Sequence, residues 1–243
     1  MSEVKVNKLS PRSGTTVTLG DSGDTIDIPS GVTFNNAGGT ITGNISVDGG
    51  TIKLDGNYPV GTDNVALGNT ALDSVEAGGI NNVAIGDNAG TAISTGDCNT
   101  AVGKDALDAS TTASYNTAIG FNSLTTNTSG NVNTAVGMGS AQQNTEGTNL
   151  VAVGARALEQ NTTGSCNTAL GKNSLLCNTT ASYNTAAGFA SLCANTTGSC
   201  NVAVGGSAGQ AVTTGAFNTA VGSLSLESNT TAGNNTAIGG AAL

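Results

Sequence analysis

The chain has 243 residues, among them 36 Gly, with 3% aromatics, 9% charged residues, no Trp and no His. Its net charge of −9 argues against non-specific binding to nucleic acid, which requires Lys and Arg against phosphates. Missing His removes the commonest general base and metal ligand. With charged residues far below the ~25% of ordinary domains and few large side chains, the composition predicts an elongated, repetitive structure rather than a compact core.

Residues 1–12 read as an extended N-terminal tip. It carries Lys5, Lys8 and Arg12, three of the seven basic residues, which are candidate docking residues. No apolar h-region follows Met1, and no apolar run approaches the ~20 residues of a membrane span. Neither export by the general route nor membrane insertion is expected.

Residues 13–63 form a second segment. Short alternating runs such as Thr16-Val17-Thr18-Leu19 and Thr25-Ile26-Asp27-Ile28 are punctuated by Gly, Asp and Asn. Period-2 alternation with β-branched residues predicts strands. Within it, Gly20-Asp21-Ser22-Gly23-Asp24 has the form of the nucleophile segment of trypsin-type proteases, but that mechanism needs a His base. Asp21, Asp24 and Asp27 offer oxygen ligands at short spacing without a full calcium motif. No metal, cofactor or catalytic site is expected, and the chain is not read as an enzyme.

From residue 64 to 243 one motif organises the chain, Asn-Thr-Ala-(Val/Ile/Leu)-Gly. It first appears as Asn64-Val65-Ala66-Leu67-Gly68 and occurs in eleven copies, 18 residues apart once and 17 thereafter. A fixed period of this kind is the signature of a repeat architecture. Counting the Asn as position 0, it is Asn64, Asn82, Asn99, Asn116, Asn133, Asn167, Asn184, Asn201, Asn218 and Asn235, with Leu150 in the sixth copy. Position 2 is Ala throughout: Ala66, Ala84, Ala101, Ala118, Ala135, Ala152, Ala169, Ala186, Ala203, Ala220 and Ala237.

The predicted fold is all-β, a parallel β-solenoid of eleven ~17-residue coils. The five-residue motif is the first strand of each coil. The Ser/Ala-Leu pair at positions 7 and 8, as in Ser123-Leu124, is expected as a second strand. Asn-Thr-Thr-Gly at positions 11 to 14 is the return turn. The Asn at position 0 is expected to stack as a ladder of side-chain amides. Positions −1, 1 and 3 are expected to fill the coil. The Ala file would then stand outside as a flat face on which further copies pack. The five cysteines are expected as reduced, small apolar fillers. Cys98, Cys166 and Cys200 share position −1 at least two rungs apart, ~10 Å, too far for a disulfide. Asn127, Asn161, Asn178, Asn195 and Asn229 begin Asn-x-Ser/Thr sequons and are read as turn residues. Phe121 and Phe189 follow the repeat Gly, and inter-chain packing is preferred there over stacking on a sugar.

A longer period lies above the short one. Thr111-Thr-Ala-Ser-Tyr-Asn-Thr-Ala118 recurs as Thr179-Thr-Ala-Ser-Tyr-Asn-Thr-Ala186, four repeats later. Growth by whole units suits a spacer better than an active site. The last repeat stops partway, at Leu243, which suggests a chain that once continued.

The repeat Asn-Thr-Ala-Val-Gly-x-x-Ala/Ser-Leu-x-x-Asn-Thr-Thr-Gly resembles the tandem repeats of bacteriophage tail fibres, especially of marine and cyanobacterial phages. It is also similar to the head repeats of trimeric autotransporter adhesins. The opening, Glu3 to Leu9, Gly20 to Thr25 and Ile28 to Gly31, looks like the start of such fibres. The resemblance implies a homotrimeric fibre docked by its N-terminus on another virion tail protein. Its distal end would meet a glycan or protein on the host surface, and it would be assembled in the host cytoplasm. A bacterial surface adhesin is the first alternative. An ice-binding solenoid is the second, held back because the Thr residues are read as falling in turns and alternating with Val.

Overall fold

A computed structural model describes residues 63–243 apart from Ala77. Lys5, Lys8, Arg12, the strands of residues 13–62, the Ser22 segment and the Asp21-Asp24-Asp27 group lie outside the described residues.

The described chain is a parallel β-solenoid. Its eleven strands are β1 (Val65–Leu67), β2 (Val83–Ile85), β3 (Thr100–Val102), β4 (Thr117–Ile119), β5 (Thr134–Val136), β6 (Val151–Val153), β7 (Thr168–Leu170), β8 (Thr185–Ala187), β9 (Val202–Val204), β10 (Thr219–Val221) and β11 (Thr236–Ile238). They pair in sequence order as one parallel sheet, Ala on Ala at every step, for example Ala101↔Ala118. The 18-residue first interval keeps this register, Val65↔Val83, so the turns absorb the extra residue. Ten steps at ~4.8 Å make the sheet roughly 48 Å long.

The rungs are also bonded outside the strands. Tyr115 N–H donates to Asp97 C=O (2.9 Å), Leu107 to Ser123 (3.0 Å), Ala109 to Thr125 (3.0 Å) and Thr145 to Thr162 (2.9 Å). Turn segments therefore satisfy their backbone groups on the neighbouring coil, as a buried backbone must. At ~1 kcal/mol net each, these bonds accumulate along the coil.

Only one strand forms per coil. The predicted second strand at positions 7 and 8 is a run of turns, because positions 6 and 8 hold left-handed backbone: Asn122 and Leu124 have φ of 56° and 50°, and Asn173 and Leu175 have 60° and 48°. Asn and Asp tolerate that region. Leu does so at ~1–2 kcal/mol, offset by ~2–3 kcal/mol from burying its side chain. Leu107, Leu124, Leu158, Leu175 and Leu192 are all buried in the core.

Glycine is required at position 4. Gly103 has φ 130°, and a Cβ there would lie 2.7 Å from the carbonyl of Gly120. The same relation runs up the file, with φ between 125° and 143°. The rungs touch backbone to backbone at this corner, which only a residue without a side chain allows.

Inside and outside are the reverse of the sequence expectation. Ala84 to Ala237 at position 2 point into the coil and are buried, and Ala66 in the first rung is partly buried. The coil is narrow. Leu at position 8 takes most of its volume, leaving room for one methyl on the strand. The Ala file is therefore not available to a second chain. Positions −1, 1 and 3 point outward instead, as the exposed Tyr115, Val132, Tyr183 and Phe217 show. Cys98, Cys166 and Cys200 share that outer file. They are not core fillers, and all five cysteines are free thiols at least partly accessible.

Candidate functional site

The Asn at position 0 is buried, only Asn235 of the last rung being half-buried, and clips the coil in two directions. The Oδ1 of Asn82 accepts the backbone N–H of Asn99 on the next rung at 2.9 Å. The Nδ2 of Asn99 donates to the carbonyl of Ala113, fourteen residues on in the same coil, at 2.9 Å. Asn116, Asn133, Asn184, Asn201 and Asn218 repeat the pattern. One amide thus closes its own coil and holds the next. The ladder is mainly side chain to backbone, with direct amide-to-amide bonds at Asn99, Asn218 and Asn235. Leu150 still donates its N–H to Asn133 Oδ1 at 3.0 Å, but has no amide to offer Asn167.

A second ladder escaped the sequence reading. At position 11, Asn127, Asn144, Asn161, Asn178 and Asn195 are buried and linked Nδ2 to Oδ1, at 2.7, 2.8, 2.7 and 2.9 Å in order. Each Nδ2 also closes its turn onto the carbonyl three residues on, as Asn144 does to Gly147 at 3.0 Å. Val212 stands next in the file, and Asn195 Oδ1 is left buried without a partner. At the other end stands Ser110, whose Oγ is also buried and unpartnered. The signal was visible as the recurrent Asn of Asn-Thr-Thr-Gly, but a turn explained it first. In the same turn, Thr145, Thr162 and Thr179 pass their hydroxyls to the next rung's carbonyl at 3.0 to 3.1 Å.

These inner residues are consumed by the fold. What remains for recognition is the outer face of the sheet. There the Thr/Val file of position 1 lies beside the Val/Ile/Leu file of position 3, flanked by positions −1 and 5. In the fourth coil the row is Tyr115, Thr117, Ile119 and Phe121. In the fifth it is Val132, Thr134, Val136 and Met138. In the eighth it is Tyr183, Thr185, Ala187 and Phe189. The five outward aromatics, Tyr115, Phe121, Tyr183, Phe189 and Phe217, are 63, 48, 65, 57 and 62% exposed. The two Tyr–Phe pairs stand four rungs apart, roughly 19 Å.

Charge is concentrated in coils two and three. Lys104 Nζ lies 2.9 Å from Asp87 and 3.1 Å from Asp105. The hydrogen bond from Lys104, aided by one from Asn69, holds the Asp87 carboxyl below its usual value, while Lys104 is raised by both carboxylates. Burial, then the charge of Asp105, pushes Asp108 up. Further along, Arg156 pairs with Glu159 at 2.8 Å. Lys172 of the Gly171-Lys172 pair stands exposed in file 5. Among the described residues no group of three or more Cys, Asp or Glu is placed to hold a metal ion, and no helix is long and apolar enough to cross a membrane.

Comparison with protein-family models, curated proteins and solved structures returned no match to this chain.

Proposed function

We propose that this chain is the shaft of a homotrimeric bacteriophage tail fibre, in which three solenoids lie side by side with the outer faces of their strands turned to a common axis. The observation that carries this reading is the outward apolar face. Its five aromatics alone leave about 600 Å² of side chain in water. The largest apolar patch on a typical monomer is ~300–600 Å² in all, and here Val, Ile and Met add to the aromatic share. The face is regular, because each residue pairs with its equivalent on the next rung. Three copies in parallel bring matching rows together, so the interface grows with every coil. Packing through the outer face replaces packing through the Ala file, which is spent inside.

A shaft of this kind acts by rigid reach. Its N-terminus docks on another virion tail protein, and several fibres add weak contacts with a host glycan or protein into firm attachment. On this reading the polypeptide contributes reach rather than catalysis. A trimeric bacterial surface adhesin would use the same shaft.

The ice-binding reading gains one observation. Thr100, Thr117, Thr134, Thr168, Thr185, Thr219 and Thr236 stand at position 1 on the strands, not in the turns. Against it, Val interrupts the file and bulky Tyr and Phe rise beside it.

Light scattering separates these readings. The expected mass is near 70 kDa, three times the 23.5 kDa of the chain, and Ile119→Asp with Val136→Asp should reduce it to one chain with an unchanged circular dichroism spectrum. A folded monomer of the unaltered chain would overturn the shaft and turn attention to a thermal hysteresis assay. Given a trimer, antibodies against the chain should label virion tails and block adsorption to the host. Labelling of a bacterial surface instead would select the adhesin.

A further inference from the structure

Cys177 and Cys193 sit in different registers, positions 10 and 9, and for that reason look unrelated in the sequence. The fold brings them onto neighbouring rungs. Cys177 N–H donates to the carbonyl of Cys193 at 3.0 Å, one link in a file that includes Ala109 to Thr125 and Gln143 to Glu159. A direct backbone bond of this sort sets the two α-carbons about 5–6 Å apart, inside the 4.4–6.8 Å window of a disulfide. In a strand, side chains at positions 9 and 10 would alternate between faces. Here the segment is a turn, and both cysteines are half-buried on the outside of the coil.

Two further observations bear on the pair. Burial pushes the Cys193 thiol up and the neighbouring Cys177 adds to it, while Arg156 opposes these two causes. An open trough of about 360 Å³, lined by Cys193, Ala194, Gln210, Ala211 and Glu227, leads to Cys193. Small residues at Ala194 and Ala211 leave that space, so a small solute reaches the sulfur.

We infer that Cys177 and Cys193 form a redox staple, a thiol pair that oxidation closes into a disulfide joining the seventh and eighth coils. With hydrogen peroxide as oxidant, one thiolate attacks a peroxide oxygen, giving a sulfenic acid and one water. The second thiolate then displaces that hydroxyl as a second water, and the S–S bond forms. Two S–H bonds and one O–O bond break. The sulfurs lose two electrons and the peroxide gains them. Cys98, Cys166 and Cys200 have no such partner, being two or more rungs apart in one file, ~10 Å. The staple would lock the rod in oxidising surroundings and release it in reducing ones. It stands independently of the fibre reading.

The test is a disulfide map of the full chain. After brief treatment with dilute peroxide, free thiols are alkylated and the chain is digested with chymotrypsin, which cuts after Tyr183 and so separates the two cysteines. The expected product is a linked peptide pair containing Cys177 and Cys193, a fall from five titratable thiols to three, and a melting temperature about 5 °C higher that a thiol reductant reverses. Cys177→Ser should abolish both the link and the shift. Recovery of Cys177 and Cys193 separately alkylated, or linked to another chain, would overturn the staple. The map of the unaltered chain decides this even if the variant does not fold.

Discussion

Along the inner wall of this coil the residue at a given position changes little from rung to rung: Asn at 0, Ala at 2 and Gly at 4 almost throughout, with Leu prevailing at 8 and Asn at 11. Along the outer wall it changes freely, position −1 passing through Cys, Tyr, Val, Asn and Phe. Both walls belong to the same 17-residue period, so the period alone does not explain the difference. Room does. Inside, each side chain touches its own copies above and below, and a change in one rung is felt by three. Outside, a side chain has solvent on one flank. The inner wall holds the fold, and the outer wall is free to vary. The inner exceptions support this. Where Gly stands at position 8, at Gly90 and Gly209, a β-branched apolar residue replaces Asn at position 11, whereas Ala141 in the fifth coil keeps Asn144. Ile93 and Val212 are buried there and lie against the glycines.

Substitutions on the inner wall should have the largest effects. Gly120→Val places a Cβ 2.6 Å from the carbonyl of Gly137, in a backbone region that costs a side chain about 1–3 kcal/mol by strain alone. With the collision added, a loss of at least ~3 kcal/mol is expected, read as a large drop in the urea midpoint. A melting curve like that of the parent would show that the rungs can separate at this corner.

Asn116→Ala comes next. It leaves Asn133 N–H, which now donates to Asn116 Oδ1 at 3.0 Å, buried without an acceptor. The Gly130 carbonyl is spared, because Asn127 also donates to it, at 2.9 Å. One orphaned buried donor costs ~1–3 kcal/mol. Urea unfolding should show that loss, and Asn116→Leu, as in the sixth coil at Leu150, should restore some packing without restoring the bond.

How far this wall could be read in advance is uneven. The solenoid, the first strand, the register and the Gly corner follow from the strict period and from Gly at position 4. Which face of the strand lies inside does not, because alternation defines two faces and leaves their order open. Size suggested that Val and Tyr fill the coil. The deciding fact was how little room Leu124 and its equivalents leave opposite the strand. The unvarying Ala was the available clue, since a residue that never grows marks a tight place. The false second strand came from reading Ser-Leu as β-pattern and overlooking Asn or Asp at position 6. Those residues, Asn88, Asp105, Asn122 and Asn173, favour left-handed backbone. The cysteine pair was hidden because positions 9 and 10 meet only across a turn.

The two walls also differ in whether they can be improved. The position-11 ladder ends at Asn195, whose Oδ1 has no partner, and begins again at Asn229. Val212→Asn would join the two, but it would also empty the space beside Gly209. Together with Gly209→Leu, which restores the pairing of Leu124 with Asn127, the double change should stabilise the chain by about 1 kcal/mol. Val212→Asn alone should destabilise it. If both variants melt alike, the two positions do not share the space assigned to them.

On the outer wall the expected effect on one chain is smallest, and pH shows it best. Asp87 and Asp108 are shifted in opposite directions. The folded value of Asp87 is lowered, chiefly by its hydrogen bond from Lys104. It contributes stability above its unfolded value, lost as pH falls through the folded one. The folded value of Asp108 is raised, chiefly by burial, so the folded state holds that proton longer. Its contribution is therefore gained on acidification and lost as pH climbs from the unfolded to the folded value. The two oppose each other over the acidic range. Lys104→Met removes the hydrogen bond that lowers Asp87 and the positive charge that restrains Asp108. The variant should then gain melting temperature relative to the parent as pH falls from neutrality toward 4, while its mass in solution stays that of the parent. A difference curve flat in pH would mean that the Lys104 contacts leave both carboxyls as water would, and that this stretch of the outer wall is charged but electrostatically idle.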